Sequence, residues 1–446
     1  MPAVEATAIV ARVPVRAPTL PAHPLHRLTL DNGLRVVLAP DSTAPVVAVA
    51  VYYDVGMRSE PMGRTGFAHL FEHVMFQGSA HLPKLEHARQ VQGSGGVFNG
   101  STHLDYTNYF EVLPAGALER ALFCEADRMA APLLTQETID NQIDVVKEEI
   151  RVNVLNRPYG AFPWLQLPEV LYDTFANTHN GYGDFVDLES ATADDAAQFF
   201  DSYYAPGNAV LAVGGDFGVE QATEWVSRYF GRVIARSTPV RPPFGEPALT
   251  EDRHAEVIDP LATTPALAIG WRVPDPVNDL DAYLPYVVLS ELMSDSDASR
   301  LEQRLIHRDH LAISQAMYLG LFGDPFDARN ATGLMFQAHH ASQTSAAQLI
   351  TAVEDELASV ASGGVGDAEL ARVQARIAAQ LLRQADPVLG RTQSFAAGEL
   401  IHGRAEFALE LPARLAGVAA ESVAAAAAEL RAQHKAVLEL KPGAGA

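Results

Sequence analysis

Cysteine, long apolar runs and positive charge are scarce in this sequence, and each scarcity excludes a class of structure or function. Its single cysteine, Cys124, rules out an internal disulfide framework. No apolar run reaches the roughly eighteen residues that a membrane-spanning helix needs, which predicts a chain without a membrane span. The 55 acidic residues outnumber the 32 basic ones, and the resulting net charge of −23 would repel the phosphates of nucleic acid. What remains is a globular chain of 446 residues with an ample apolar core.

The beginning of the chain also lacks the basic start and the apolar core of an intact signal peptide. We predict that residues 1–24 form an N-terminal extension. A mature N-terminus left after cleavage, with Met1 added, is one interpretation. The compartment stays open on this ground, with the bacterial periplasm favoured over the cytoplasm.

Two strand-like patterns occur twice at similar spacing. The apolar run that follows Pro45 returns after Pro265, and the run from Asn208 is echoed from Lys435, at offsets of 220 and 227 residues. Repeated order at a similar offset indicates an internal duplication. Because strands are mixed with long helices in each copy, we predict an α+β fold of two homologous domains. Each would be a mixed, mainly antiparallel sheet packed with helices.

Four prolines between residues 237 and 249 mark the boundary between the two copies. We therefore predict a first domain at 25–236, a linker at 237–249 and a second domain at 250–446. The first domain contains the motif described next. The positions that correspond to the motif in the second domain hold Leu289, Leu292 and Met293, in an apolar helix, so no metal ligand stands at any of them.

The chemistry is concentrated in the stretch H-L-F-E-H at residues 69–73. Residues four apart lie on the same face of a helix, so His69 and His73 can converge on one zinc ion at about 2.0–2.1 Å. Glu72 lies on the same side. The order H-x-x-E-H is the inverzincin signature of metalloproteases and indicates peptide-bond hydrolysis. A solvated histidine pair is the plain alternative, but the apolar helix around these polar side chains favours a metal.

A catalytic zinc site normally has three protein ligands, so a carboxylate from elsewhere is required. The helix predicted over 136–155 offers Glu148 and Glu149. Glu148 has charged residues at i−4 and i+3, which is typical of a solvated face. Glu149 is flanked at i−4, i−3 and i+3 by valines and is predicted to point with the apolar face. Glu149 is therefore the predicted third ligand.

Together these residues resemble the pitrilysin/insulinase superfamily of zinc peptidases, in its short branch that includes mitochondrial processing peptidase and its bacterial homologues. The resemblance takes in the strand motif at 95–109 and the sequence Y-A-P-G-N-A at 204–209. It covers most of 25–235 by motif and 250–440 by architecture.

The resemblance implies that His69, His73 and Glu149 hold one Zn2+ per chain and that Glu72 is the general base that activates a zinc-bound water. The chain would then be a zinc endopeptidase acting on extended or unfolded peptides inside a dimeric chamber. Family members often support the ligand glutamate with a second glutamate, and that position holds Gln142.

The same resemblance places peptide substrates along the segment after the motif. Residues 107–112 alternate as an edge strand would, so an extended peptide could pair with them by β-augmentation. Asn99 matches an asparagine that contacts the substrate backbone, and Asn108 and Phe110 are further candidate contacts. A plain turn residue after two glycines is an equally open interpretation of Asn99.

The second domain departs from the family pattern. Complete members carry an arginine and a tyrosine there that stabilise the developing oxyanion, and the corresponding positions hold Met335 and Ser342. One explanation is a heteromeric dimer in which a homologous subunit supplies the Arg/Tyr pair, and a homodimer stays open. A non-catalytic scaffold and a peptide-binding subunit without turnover are the other open functions. His81 and His87 are predicted to be bystanders, without spacing that supports a second metal site.

Overall fold

The computed structural model describes residues 23–443 and shows an α+β fold built on two β-sheets. All but the last two residues of the predicted N-terminal extension lie outside the described part. Within the described part, no helix combines the length and the apolar character that crossing a membrane requires. We call residues 23–236 the first half and residues 250–443 the second half.

The first half holds a six-stranded sheet with the order β1-β2-β6-β3-β5-β4, and the second half holds a five-stranded sheet with the order β7-β11-β8-β10-β9. The strands are β1 (His26–Thr29), β2 (Arg35–Pro40), β3 (Val46–Tyr53), β4 (Val97–Thr102), β5 (Thr107–Pro114), β6 (Ala209–Gly215), β7 (Arg253–Asp259), β8 (Ala266–Val273), β9 (Ser314–Leu319), β10 (Thr332–His339) and β11 (Ala436–Pro442).

The two sheets share one topology from β2 onward. Strands β2 and β6 are parallel and so are β7 and β11, whereas the other pairs of named strands are antiparallel. The strand after Pro45 and the strand after Pro265 occupy the same place in their sheets, as do β6 and β11. The predicted α+β fold with an internal duplication is therefore confirmed.

Helices cover both sheets. They are α1 (Phe67–Val74), α2 (Glu86–Gly93), α3 (Leu118–Ala130), α4 (Gln136–Ile150), α5 (Gln166–Leu171), α6 (Phe175–Thr178), α7 (Phe185–Glu189), α8 (Ala193–Tyr203), α9 (Val219–Tyr229), α10 (Leu280–Ser294), α11 (Ala346–Gly363), α12 (Asp367–Ala385), α13 (Val388–His402), α14 (Phe407–Ala416) and α15 (Ala420–Ala432). Two π-helical turns, Arg151–Leu155 and Glu302–Arg308, and four short 3-10 turns complete the elements named in the described residues.

Each sheet is covered on one face by a helix of the other half. Helix α13 packs on β3 and β6, with Phe395 and Leu400 in one apolar cluster with Tyr52 of the first sheet. Helix α5 packs on β8 and β11, with Leu167 and Leu171 buried against the second sheet. Central strands covered on both faces read as nearly continuous apolar runs, as β3 and β6 do. The two halves are therefore interlocked by an exchange of helices.

A charged cluster also joins the halves close to the motif. Arg58 donates to Asp105 at 3.2 Å and to the backbone carbonyl of Arg329. Arg329 in turn donates to Asp54 at 2.6 Å, and Arg241 of the linker pairs with both aspartates. Arg58 and Asp105 are buried, and removing either would leave an uncompensated buried charge, which is strongly destabilising. The cluster fixes the second half against the part of the first half that carries the motif.

Candidate metal centre

The H-x-x-E-H stretch forms the short helix α1, and a buried carboxylate holds its amino-terminal end. Glu60 accepts hydrogen bonds from the backbone amides of Gly66 and Ala68, both at 2.8 Å, and from His179 Nε2 at 3.0 Å. A negative charge there satisfies amides that lack partners within the helix and complements the helix dipole. Gly66 has a φ of 82°, and a Cβ on it would lie 2.5 Å from Cα of Gly183, so glycine is required. These contacts set the direction in which the histidines point.

The three side chains predicted as metal ligands meet at one place. The Nε2 atoms of His69 and His73 are 3.3 Å apart, and Glu149 Oε2 lies 3.2 Å from His73 Nε2 and 3.8 Å from His69 Nε2. Ligands at about 2.0–2.1 Å from a tetrahedral zinc ion are separated by about 3.3–3.4 Å. Two of the three separations are close to this spacing and the third, 3.8 Å, is wider, so the donor atoms approximate three corners of such a tetrahedron.

The protonation states of these donors also suit a metal. Hydrogen bonds from His73 and Tyr182 lower the pKa of Glu149 to about 2. Burial and the neighbouring His73 lower the pKa of His69 to about 4. An ionised carboxylate and a neutral imidazole are the forms that bind zinc. At neutral pH neither Glu149 nor His69 has to lose a proton first.

Tyr182 orients two of the three donors, and the sequence analysis missed it. Its hydroxyl donates to Glu149 Oε1 at 2.6 Å, and its ring stacks on His69 with centroids 4.7 Å apart. Trp164 packs edge-on against the same ring at 5.4 Å. The sequence signal for Tyr182 was an aromatic residue between two glycines, Gly181 and Gly183. In the structure a Cβ on either glycine would collide with a neighbouring residue.

The predicted supporting residue, Gln142, does not support Glu149 directly. It is buried on α4, but its side-chain amide donates to Asn141.

Glu149 reaches the histidines, but not for the reason that the sequence suggested. Val145 and Val152, expected to share a buried face with Glu149, are 44% and 57% exposed. The side chain of Glu149 is itself 31% exposed, at the edge of the helix where α4 meets α1. Glu148 is exposed and pairs with Arg151 at 3.2 Å, as a solvated-face residue would. Val146, the third flanking valine, is buried, so the expected apolar face around Glu149 is narrower than predicted: α4 turns only a narrow stripe toward the core.

Glu72 lies beside the three donors and is held by one hydroxyl. Thr102 Oγ1, at the end of β4, donates to Glu72 Oε2 at 2.7 Å. Burial raises the pKa of Glu72, and the hydrogen bond from Thr102 opposes that shift. A carboxyl group with a raised pKa is suited to accept a proton and return it.

The edge strands of the first sheet are β1 and β4, and the strand over 107–112 is not one of them. Strand β5 lies between β3 and β4, so the edge-strand prediction for those residues was wrong. Asn108 is 2% exposed and accepts a hydrogen bond from Ser101, and Phe110 packs toward the α13 side of the sheet. Asn99 lies exposed on β4 itself. Alternating side chains do not distinguish an edge strand from the strand next to it, which is why the sequence misled here.

A cavity of about 590 Å³ opens beside the donor atoms, and both halves form its walls. The first half contributes polar groups, among them His69, Glu72 and Glu149, together with Trp164. The second half contributes an apolar wall that the sequence analysis did not anticipate, formed by Tyr318, Leu321, Phe322 and Gly323. Met335 and Ser342 do not line this cavity. Met335 is buried under α5, and Ser342 lies in an exposed turn after β10.

His87 was predicted to be a bystander, yet it belongs to a second, fully buried group. Its Nε2 lies 3.2 Å from Glu111 Oε2 and 3.8 Å from Glu125 Oε1. Arg128 donates to both carboxylate oxygens of Glu125. The guanidinium already supplies the positive charge that a metal ion would bring. We therefore regard these four side chains as a structural cluster rather than a metal site.

Comparison with known proteins places the chain in a family. A family profile described as "Insulinase (Peptidase family M16)" matches residues 35–165, and one described as "Peptidase M16 inactive domain" matches residues 190–377. The "Zinc protease PqqE" of Helicobacter pylori is 32% identical over 313 residues, which span 67% of this chain and 66% of that relative.

Solved structures show the same fold. A protease from Helicobacter pylori has a TM-score of 0.86 at 24% identity, over 94% of this chain and all of that one. The periplasmic protease PqqL from Escherichia coli has a TM-score of 0.75 at 18% identity. That match covers 96% of this chain but only 48% of PqqL.

The two profiles match in order across both halves, and the named relative is a zinc protease. The resemblance drawn from the motif is therefore confirmed. This chain belongs to the insulinase (peptidase M16) family.

Proposed function

We propose that this chain is a zinc-dependent endopeptidase in which His69, His73 and Glu149 hold one zinc ion and Glu72 is the general base. The observation that carries the proposal is the triangle of donor atoms, with sides of 3.2, 3.3 and 3.8 Å. The Helicobacter relative named a zinc protease supports the choice of metal.

The reaction follows from the side chains around the cavity. When bound, zinc would act as a Lewis acid on the scissile carbonyl and lower the pKa of a water. Glu72 takes a proton from the attacking water and returns it to the leaving amine as the C–N bond breaks. Thr102 holds the Glu72 carboxylate in place at 2.7 Å. Substrate reaches these groups through a cavity open to solvent, and β4 offers an unpaired edge to an extended peptide.

We further propose that a second two-domain chain closes over this cavity and forms a chamber that admits extended or unfolded peptides. No arginine or lysine is among the described residues that line the cavity, so any cationic side chain that assists zinc at the oxyanion has to come from outside. PqqL, about twice as long as this chain, supports pairing of two such units. A homologous partner with an Arg/Tyr pair fits this requirement.

The test is hydrolysis of a fluorogenic peptide together with measurement of bound zinc. Glu72→Gln should keep its zinc and lose about 10²–10⁴-fold in kcat, the usual contribution of a general base. Glu149→Gln should lose zinc. Glu148→Gln, a change at the exposed neighbouring residue, should match the wild type.

Full activity of Glu72→Gln would contradict the mechanism. Running the assay on the chain alone and on any complex that co-purifies tests the partner. Bound zinc without cleavage in both preparations would favour a peptide-binding subunit instead.

A further inference from the structure

The carboxyl end of β4 is held from two sides. Thr102, the last residue of the strand, turns its hydroxyl toward Glu72. Its neighbours Ser101 and His103 turn the other way, because successive side chains of a strand alternate between faces. Among the described residues Thr102 is the hydrogen-bond donor to the Glu72 carboxylate. The position of this strand end therefore determines where the carboxylate lies.

His103 connects that strand end to the second half. Its Nδ1 lies 3.1 Å from Asp327 Oδ2, and its Nε2 lies 3.1 Å from Ser101 Oγ. The ring is stacked on Tyr106 at 4.3 Å and touched edge-on by Phe322 at 5.6 Å. Asp327 is almost completely buried, so its carboxylate needs this partner. The imidazole is thus fixed by contacts from both halves.

Asp327 and Phe322 belong to the connection between β9 and β10. The same connection supplies Leu321, Phe322 and Gly323 to the apolar wall of the cavity. Gly320 and Gly323 have φ values of 75° and 80°, which keep the connection sharply folded over the cavity. One short segment therefore contains both the wall that would contact a substrate and Asp327, which contacts His103 at the end of β4.

The order Asp327, His103, Ser101 is that of a serine hydrolase, but the hydrogen bonds argue against such a role. Ser101 Oγ donates to Asn108 Oδ1 at 2.7 Å, so its proton is not directed to the imidazole. Ser101 acts as a link to β5, and the chain of contacts serves to place the strand.

We propose that His103 is a positioning residue for the hydrolysis, setting Glu72 through Ser101 and Thr102 according to the position of the β9–β10 connection. The inference rests on the proposed zinc hydrolysis. When His103 is lost, the end of β4 is freed from Asp327, and the Thr102 hydroxyl no longer fixes the carboxylate. A misplacement of about 1 Å at a reacting group costs about 10²-fold in rate.

The experiment compares His103→Ala, Asp327→Ala and Asp327→Asn in the full chain, or in its complex if the complex is the active form. His103→Ala and Asp327→Ala should keep their zinc and bind peptide with little change in KM, while kcat falls about 10–100-fold. Asp327→Asn should recover most of kcat, because its amide oxygen still accepts from His103 Nδ1. The control is Arg35→Gln, which removes a contact between the halves, 3.5 Å to Glu399, on the side of the sheet remote from β4.

The outcomes distinguish a failure of the role proposed for His103 from a failure of the proposed zinc hydrolysis. An unchanged kcat in His103→Ala, with Glu72→Gln inactive, would overturn the role of His103 alone. An equal loss of kcat in Arg35→Gln would show that any loosening of the contact between the halves lowers activity, and it would also overturn the role of His103. The same holds if Asp327→Asn has a kcat no higher than that of Asp327→Ala. If Glu72→Gln is active, the zinc hydrolysis fails and this inference fails with it.

Discussion

Glu111 is expected to make the stability of the protein depend on pH. It is fully buried on β5, and the nearby guanidinium of Arg128 is bound to Glu125. Burial raises the pKa of Glu111 to about 8, from an ordinary value of 4.5. The fold therefore favours the protonated carboxyl. The resulting stabilisation is complete below the pKa of the unfolded chain and is lost as the pH rises through the folded value.

The size of the effect follows from the two pKa values. Each unit of difference is worth about 1.4 kcal/mol, so the free energy of unfolding should fall by about 3 kcal/mol between about pH 5.5 and pH 8 on account of Glu111. Glu111→Gln cannot ionise, and its amide can still donate to His87 across the present 3.2 Å contact. The variant should therefore gain stability relative to the wild type as the pH rises.

Urea unfolding followed by circular dichroism, repeated from about pH 5.5 to pH 8, measures this difference. Glu251→Gln, a change at an exposed position, is the matched control and should run parallel to the wild type at every pH. If the difference between Glu111→Gln and the wild type stayed constant over the same range, Glu111 would not be the buried acid described here.

Two further variants test other parts of the structure. Tyr182→Phe removes the 2.6 Å hydrogen bond to Glu149 and should weaken zinc binding about 10–100-fold, measured by competition with a chelator. Tyr203→Phe is the control. If Tyr182→Phe bound zinc as tightly as the wild type, Tyr182 would not orient the ligand. Leu171→Ala should lower the free energy of unfolding by about 2–5 kcal/mol in urea, because it empties space between α5 and the second sheet; a loss as small as that of an exposed leucine would argue against this packing.

The sequence was most informative where the chemistry is local. His69 and His73 are one helical turn apart, so their convergence depends only on a helix forming there. The duplication was equally accessible, because a strand keeps its apolar pattern wherever it is placed. Both predictions rest on residues close together in the chain or on repeated patterns.

Glu149 marks the limit of that reasoning. The residue identified as the third donor does meet the histidines, but two of the three valines used to choose it, Val145 and Val152, are exposed. Helix phase was inferred from apolar residues, but an apolar residue such as Val145 can also lie exposed on the surface. Glu149 is brought to the histidines by the packing of α4 against α1, a tertiary contact that the pattern of apolar residues within α4 does not reveal.

Tyr182, His103 and Phe322 lay beyond sequence reasoning for a related reason. Each acts through a partner distant in the chain: Glu149 for Tyr182, Asp327 for His103 and the cavity for Phe322. Which strand forms the sheet edge is likewise decided by the pairing of all six strands. Local patterns carry no information about such pairings.

The exchange of α5 and α13 between the halves has a consequence for how the protein is made. The first sheet is complete in sequence at Gly215, but the helix that covers its second face begins only at Val388, about 170 residues later. At about 5–20 residues per second, a ribosome needs roughly 10–30 s to supply it. Throughout that interval the nascent chain displays a bare apolar sheet face around Tyr52 and Val210, a surface of the kind that chaperones bind.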